Sequence, residues 1–327
     1  MHDQGGAGVV VIGRNEGERL RRCLVSVVRQ AAVVIYVDSG SADDSVNVAK
    51  NSGVQIVELD PGLPFTAARA RNEGFRRLRE LHPDLTYVQF VDGDCELCLG
   101  WLASAAKFLR DHEEVSVVSG RLREKHPAHS IYNTLCDIEW DTPPVGEVKA
   151  CGGIAMIRID AFERVQGFRT DLIAGEEPEL CVRLRSLGWR IWRLGEEMAL
   201  HDSAMLRFGQ WWKRMQRGGY AFAQGAALHG APPELHGVRE SLSALFWGLG
   251  IPLFALVSLV LIGPLGLATF AVYPLQVVRL ALRGARSTRE NWWRALFLVI
   301  GKFPEMLGQL KFFTRWLGRQ SRLIEYK

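Results

Sequence analysis

Asp92-Gly93-Asp94 closes an apolar run, Thr86-Tyr87-Val88-Gln89-Phe90-Val91, that has the composition of a β-strand. A strand end holds its backbone still, so two carboxylates one residue apart can be aimed into one cleft. The glycine between them permits a tight turn and the close approach of a bulky ligand. Neighbouring carboxylates repel each other and resist desolvation unless a cation lies beside them. A hard divalent ion, bound through one or two carboxylates and completed by substrate phosphates, answers both problems.

The elements that would position this pair repeat one theme. Val9-Val10-Val11-Ile12 reads as a buried strand, followed by Gly13-Arg14-Asn15-Glu16-Gly17. A helix is predicted from about Glu18 to Gln30, with Leu20, Leu24, Val27 and Val28 on one face. A second strand, Val33 to Val37, ends in Asp38-Ser39-Gly40-Ser41-Ala42-Asp43-Asp44-Ser45, which supplies a turn and the cap of a helix beginning at Ser45. A third strand, Gln55 to Glu58, precedes a helix carrying Ala67-Ala68-Arg69-Ala70-Arg71-Asn72-Glu73-Gly74. Strands and helices alternating at these lengths predict an α/β fold with a doubly wound, mainly parallel sheet. Ligands of such sheets bind beyond the carboxyl ends of the strands, where Asp38 and Asp92 both fall. A dinucleotide-binding fold is excluded by order. Gly5, Gly6 and Gly8 precede the first strand, and neither Gly-x-Gly-x-x-Gly nor a lysine-containing phosphate loop follows it.

Gly-Arg-Asn-Glu after the first strand, Asp-Ser-Gly-Ser after the second, Ala-Arg-Asn-Glu-Gly before the fourth and then Asp-Gly-Asp resemble, in that order, the family 2 glycosyltransferases. The matched motifs run from about Val9 to Gly225. The resemblance implies the GT-A nucleotide-sugar-binding fold and, for most members, inversion at the anomeric carbon. It also implies a UDP- or GDP-linked sugar as donor and Mn2+ or Mg2+ as cofactor. Asp94, Asp92 and His201 fall at positions associated with the metal. Gly13, Asn15, Glu16, Asp38, Ser39, Arg71, Asp92, Gly93, Gly152, Gly153, Arg214 and Arg217 fall at positions associated with the nucleotide-sugar. Arg71 shares its segment with Arg69, Arg76, Arg77 and Arg79, so a solvated helix face is the other reading of it.

Glu176-Glu177-Pro178-Glu179 resembles the acidic pair, often Glu-Asp, that carries the family's catalytic base. Glu177 stands where the family usually has Asp, and Glu176 is the rival for the role. An inverting transfer needs one carboxylate within hydrogen-bond reach of the acceptor hydroxyl, to take its proton as the new bond forms. Acidic residues there also complement the positive end of a helix with Pro178 in its first turn. Lys213, Arg214 and Arg217 have the charge to neutralise a leaving diphosphate. Gln210-Trp211-Trp212-Lys213-Arg214 has the ingredients of the Gln-x-x-Arg-Trp motif of processive members in a different spacing, which implies transfer of one sugar per encounter.

Composition changes after about residue 240. Leu242–Ile262 and Leu265–Leu282 are apolar, carry no charge before Arg279, and approach the roughly 20 residues that cross hydrocarbon. Gly263-Pro264 alone separates them, which predicts a transmembrane hairpin. From Arg279 to Lys327 eleven Lys or Arg face three Glu, a surplus of eight in a chain whose net charge is +4. By the positive-inside rule the catalytic domain and tail lie at the cytoplasmic face of the cell membrane. Trp292 to Trp316 suits an interfacial helix. The predicted division is a catalytic domain over 1–230, a membrane hairpin with flanks over 231–290 and a basic interfacial tail over 291–327.

Beside such segments the basic surplus favours membrane lipids as partners and argues against nucleic acid. A lipid-linked or glycan acceptor follows, within assembly of an exported polysaccharide. The alternatives are a polyprenyl-phosphate sugar transferase, which needs no general base, and an inactive scaffold of a polysaccharide assembly complex. Six scattered cysteines predict reduced thiols. Cys95 and Cys98 make only half a zinc site.

Overall fold

Val9 and Val11 enter one hydrophobic core while Val10 and Ile12 enter another. Alternation along a strand that is buried on both faces produces this sandwich. The computed structural model describes residues 6–318 and divides them into two compact units, residues 6–126 with 139–203, and residues 127–138 with 204–318. The last residues of the predicted tail, 319–327, lie outside the described residues.

The first unit runs β1 (Ala7–Gly13), α1 (Glu18–Val28), β2 (Val34–Asp38), α2 (Ser45–Asn51), β3 (Gln55–Glu58), α3 (Ala67–Leu81), β4 (Tyr87–Asp92), β5 (Cys95–Leu97), α4 (Trp101–Asp111) and β6 (Val115–Glu124). Helix α5 (Ile131–Trp140) starts among the residues of the second unit. The first unit then resumes through β7 (Gly146–Val148), β8 (Ala155–Arg158), α6 (Ile159–Arg164), α7 (Glu176–Ser186) and β9 (Arg190–His201). The sheet order is β3-β2-β1-β4-β8-β6-β9-β5, with β7 on β9. The predicted parallel arrangement describes β3 to β4. Beyond β4 the sheet is mixed, because β8 lies antiparallel between β4 and β6, and β5 and β7 run antiparallel to β9. Pairing of Gly13 with Asp38 and of Ile12 with Asp92 brings the carboxyl ends of three strands level.

The second unit contains α8 (Phe208–His229), α9 (Val238–Leu245), α10 (Ile251–Ile262), α11 (Val272–Leu282), α12 (Thr288–Ile300) and α13 (Lys302–Leu317). The units therefore part at Ser203, earlier than residue 230. Helix α8 packs on α13, so closely that a Cβ on Gly219 would lie 1.9 Å from the carbonyl oxygen of Glu305. The predicted single interfacial helix is two, broken at Gly301, and α13 spends one face on α8. Among the described residues one helical run, Val238–Leu282, is long and apolar enough to cross a membrane, and 11% of its most apolar window is buried. The run doubles back at Gly263, whose φ is +69°, and residues 263–271 form a 3-10 turn packed along α10. Tyr273 donates a hydrogen bond to the carbonyl of Trp247 across the two arms, 2.5 Å.

Candidate active site

The loops that follow β1 and β2 lock onto each other. Asp38 is 2% exposed and its Oδ1 accepts hydrogen bonds from the Tyr36 hydroxyl, 2.8 Å, and the Ser41 hydroxyl, 2.6 Å. Its Oδ2 accepts from the Ser41 amide, 2.7 Å. Asn15, with φ +56°, receives the Ala42 amide on Oδ1, 2.7 Å, and donates its own amide to the Ser41 hydroxyl, 2.9 Å. The Ser39 amide donates to the Gly13 carbonyl at 3.0 Å. Glu16 is buried, pairs with Arg19 at 2.6 Å and donates its amide to the Ser45 hydroxyl at 3.1 Å. Gly13, Asn15, Glu16, Asp38 and Ser39 thus belong to one rigid double loop at the strand ends. Ser41 and Tyr36, which orient Asp38, escaped the sequence reading, although Ser41 stood within the quoted Asp-Ser-Gly-Ser tail.

At the end of β4 the two aspartates separate. Gly93 continues the ladder by donating its amide to the Ile12 carbonyl, 2.8 Å. Asp94 then meets His201, with Oδ1 and Nε2 3.2 Å apart. The register of β5 on β9 makes this contact, because Cys95 pairs with His201 and the Asp202 amide donates to the Asp94 carbonyl at 3.0 Å. Burial disfavours a charged His201 ring, yet Asp94, helped by Asp92 and Glu124, outweighs it and draws the imidazole pKa upward. A proton is therefore favoured where a cation could stand. Trp140 stacks on His201, 4.4 Å between ring centroids at 9°, and fixes the plane of the imidazole. No spacing in the sequence announces Trp140, which lies far from His201 along the chain.

Asp94, Cys95 and His201 place their ligand atoms within 4.8 Å of one another. The carboxylate and imidazole fit a divalent ion, whose remaining positions substrate oxygens would fill. Burial, with Asp94 adding to it, pushes the Cys95 thiol well above its usual range, so this sulfur stays protonated beside the site. Asp92 does not join this group; its carboxylate is taken by Arg71.

Arg71 is 2% exposed, so the solvated-face reading of it is corrected. Its apolar neighbours on α3, Ala68, Ala70, Gly74 and Leu78, turn this side of the helix to the core. Nη2 donates to Asp92 Oδ1 at 2.9 Å, and Nη1 lies 2.9 Å from Glu176 Oε1 and 2.8 Å from Glu177 Oε1. Gly153 forms the cover of this cluster. A Cβ there would stand 2.7 Å from Arg71 Nη2, 2.9 Å from Asp92 Oδ2 and 3.2 Å from Glu177 Oε1. Around Gly152 a Cβ would meet nothing within 4 Å, as expected of a segment open to a ligand.

Asn72, next to Arg71, clamps Phe168 by two hydrogen bonds, to its carbonyl at 2.8 Å and from its amide at 2.9 Å. That clamp ties α3 to the chain leading into α7. Glu176 and Glu177 open α7 behind Gly175, which has φ +83°. The Glu176 side chain is 9% exposed and that of Glu177 15%. Burial first, then the neighbouring Glu177, raises the Glu176 pKa to about 7 against the pull of Arg71. Glu179 is 1% exposed and grips Arg183 at 2.7 Å, a structural pair.

A stability consequence follows from Glu176. Its folded pKa lies above the unfolded value near 4.5, so between about 4.5 and 7 the folded state binds more protons. Stability is therefore greatest below the unfolded pKa and falls as pH rises through that window, by roughly 3 kcal/mol at most. Glu176→Gln removes the ionisation and is expected to melt higher than the wild type at pH 8, with the difference vanishing near pH 4.5. Thermal midpoints in detergent at both pH values measure this; an equal difference at the two would refute it.

Lys213, Arg214 and Arg217 all stand on α8, in the second unit. The first unit alone brings together Asp38, Asp92, Asp94, His201, Arg71, Gly153, Glu176 and Glu177. All six cysteines are free, and Cys151 and Cys181 lie with sulfurs 3.6 Å apart.

Residues 8–166 match the family described as glycosyl transferase family 2, a span that contains Asp38, Arg71, Asp92, Asp94 and Gly153. No curated relative matches the chain. The mannosyltransferase PcManGT of Pyrobaculum calidifontis, solved with GDP-Man and Mn2+, superposes with a TM-score of 0.59 at 19% identity. The alignment covers 98% of this chain and 89% of that one. A glucosyl-3-phosphoglycerate synthase of Mycobacterium tuberculosis, solved with phosphoglyceric acid, aligns over 70% of this chain and 81% of its own at 17% identity and a TM-score of 0.48. Residues 8–166 thus carry a family 2 glycosyltransferase domain and with it the activity of a glycosyltransferase, and the chain has the GT-A fold.

Proposed function

We propose that this enzyme moves a single sugar, with inversion, from a UDP- or GDP-linked donor to a hydroxyl of a lipid-linked glycan at the cytoplasmic membrane face. The observation that carries the reading is the division of acidic labour at the strand ends. Asp94 is paired with an imidazole, and Glu177 is held by an arginine beside a glycine-lined opening. Asp94 and His201 would hold Mn2+ or Mg2+, which when bound supplies positive charge to the diphosphate of the donor. Asp38 and the double loop around Asn15 serve the nucleoside. Gly152 and Gly153 let the sugar lie against backbone. Glu177, at the start of α7, accepts the proton of the attacking hydroxyl.

The apolar run folded back at Gly263 inserts in the bilayer, and the basic residues from Arg279 onward meet anionic headgroups. In this division the membrane part begins after α8. Because α13 covers α8, deletion of everything beyond Ser241 would strip that helix as well as the hairpin. A cleaner removal excises the hairpin alone.

The direct test is release of nucleoside diphosphate from a panel of nucleotide-sugars by detergent-solubilised enzyme, with Mn2+, with Mg2+ and with chelator. Release from one donor that chelator abolishes is the expected result. Release that survives chelation overturns the metal-dependent reading, and neither release nor binding across the panel overturns the enzymatic one in favour of a scaffold.

A further inference from the structure

We infer that Arg71 is the positioning residue of the catalytic base, fixing Glu177 from beneath the sugar site, and not a ligand of the nucleotide. The inference rests on the reading of Glu177 as the base. Both terminal nitrogens of Arg71 are committed, Nη1 to Glu177 and Glu176 and Nη2 to Asp92, all between 2.8 and 2.9 Å. The guanidinium carbon lies 5.5 Å from the centroid of the Phe168 ring, which closes one side. Gly153 closes another, with no room for a Cβ. Phe168 is itself held by Asn72, the next residue on α3. A side chain enclosed in this way reaches a phosphate only by abandoning three carboxylates in a buried place.

Charge points the same way. One guanidinium among Asp92, Glu176 and Glu177 leaves the cluster negative or, with Glu176 protonated, still negative by one. Such a cluster repels a diphosphate and suits the acceptor side, where a proton must be received. The groups facing Glu177 are Arg71 from α3, Asp92 from β4, Glu176 from its own helix and the buried thiols of Cys151 and Cys181. Arg71 is the cation among them. It lies between the carboxylates, and its planar fork sets the direction of Glu177 in a way that a lysine does not reproduce.

The test compares wild type, Arg71→Lys and Arg71→Met by pH profiles of kcat/KM and by calorimetric affinity for nucleoside diphosphate with Mn2+. Without the guanidinium the crowded carboxylates take up protons at higher pH. Arg71→Met is therefore expected to move the acidic limb up by about one unit and to lower kcat about 100-fold. Diphosphate affinity stays within about threefold, because the residue does not meet the nucleotide. Arg71→Lys keeps the charge, so its limb stays near the wild-type position while kcat falls through lost orientation. Tenfold weaker diphosphate binding with an unmoved limb overturns the inference and returns Arg71 to the nucleotide. Should Arg71→Met not fold, as a circular dichroism melt would reveal, Arg71→Lys decides alone: lower kcat at unchanged affinity supports the assignment, and unchanged kcat at weakened affinity overturns it. Glu177→Gln run beside them separates the two readings, since wild-type turnover in that variant removes the base assignment itself, whatever Arg71 does.

Discussion

Asp94→Ala is expected to abolish donor turnover, by about 10³-fold or more, and to weaken Mn2+ binding in a direct paramagnetic titration of the protein. The size of the effect follows from the smallness of the donor set. Among the described residues the group able to hold an ion is Asp94, Cys95 and His201, and the sulfur is kept protonated by burial. Removing Asp94 leaves an imidazole to do the work of two ligands. It also removes the carboxylate whose negative charge draws a cation to this place, as it draws a proton onto His201. Asp92→Ala acts differently, because Asp92 faces Arg71 at 2.9 Å. Its loss should disturb the arginine cluster while Mn2+ affinity changes much less. Equal loss of Mn2+ affinity in the two variants would place both carboxylates on the metal and contradict the separation.

Glu177→Gln is expected to lower kcat by about 10² to 10⁴-fold with donor affinity preserved, since general-base catalysis contributes in that range. The isosteric amide keeps the size of the side chain and loses its capacity to accept a proton. Glu176→Gln should cost far less in turnover. Glu176 is the more buried of the pair and its pKa near 7 means that it is half neutral at the pH where Glu177 must be an anion. A reversed order of the two variants would transfer the role to Glu176. Retention of activity in both would favour an acceptor that needs no base, such as a prenyl phosphate.

Much of this was legible in the chain itself. Val9 to Ile12, Val34 to Val37 and the run ending at Asp92 are β-branched or apolar stretches whose only stable solution is a sheet buried on both faces, and short polar loops must follow them. Asp38, Asp92 and Asp94 therefore fall at strand ends on the sequence alone, and Glu177 falls at the start of a helix. The break at Gly263 and the apolar stretches around it were equally plain, because composition and length carry that signal.

Other relations were decided only by the tertiary structure. That Arg71 is buried, while Arg76 on the same helix is a solvated pairing partner of Glu73 and Glu80, depends on which face of α3 meets the sheet. A segment crowded with arginines does not announce that face. Which aspartate goes to the imidazole and which to the guanidinium was decided by the register of β5 on β9 and by the packing of α3 on β1 and β2, which carries Arg71 to Asp92. Trp140 reaches His201 from far along the chain, and α8 packs against α13 from the other end of the second unit. Local composition determines what an element is and where it must stop, since backbone hydrogen bonding and burial of a periodic face are settled within a few residues. Which charges face one another is set by contacts between elements distant in sequence, where a shift of one residue in register exchanges the partners.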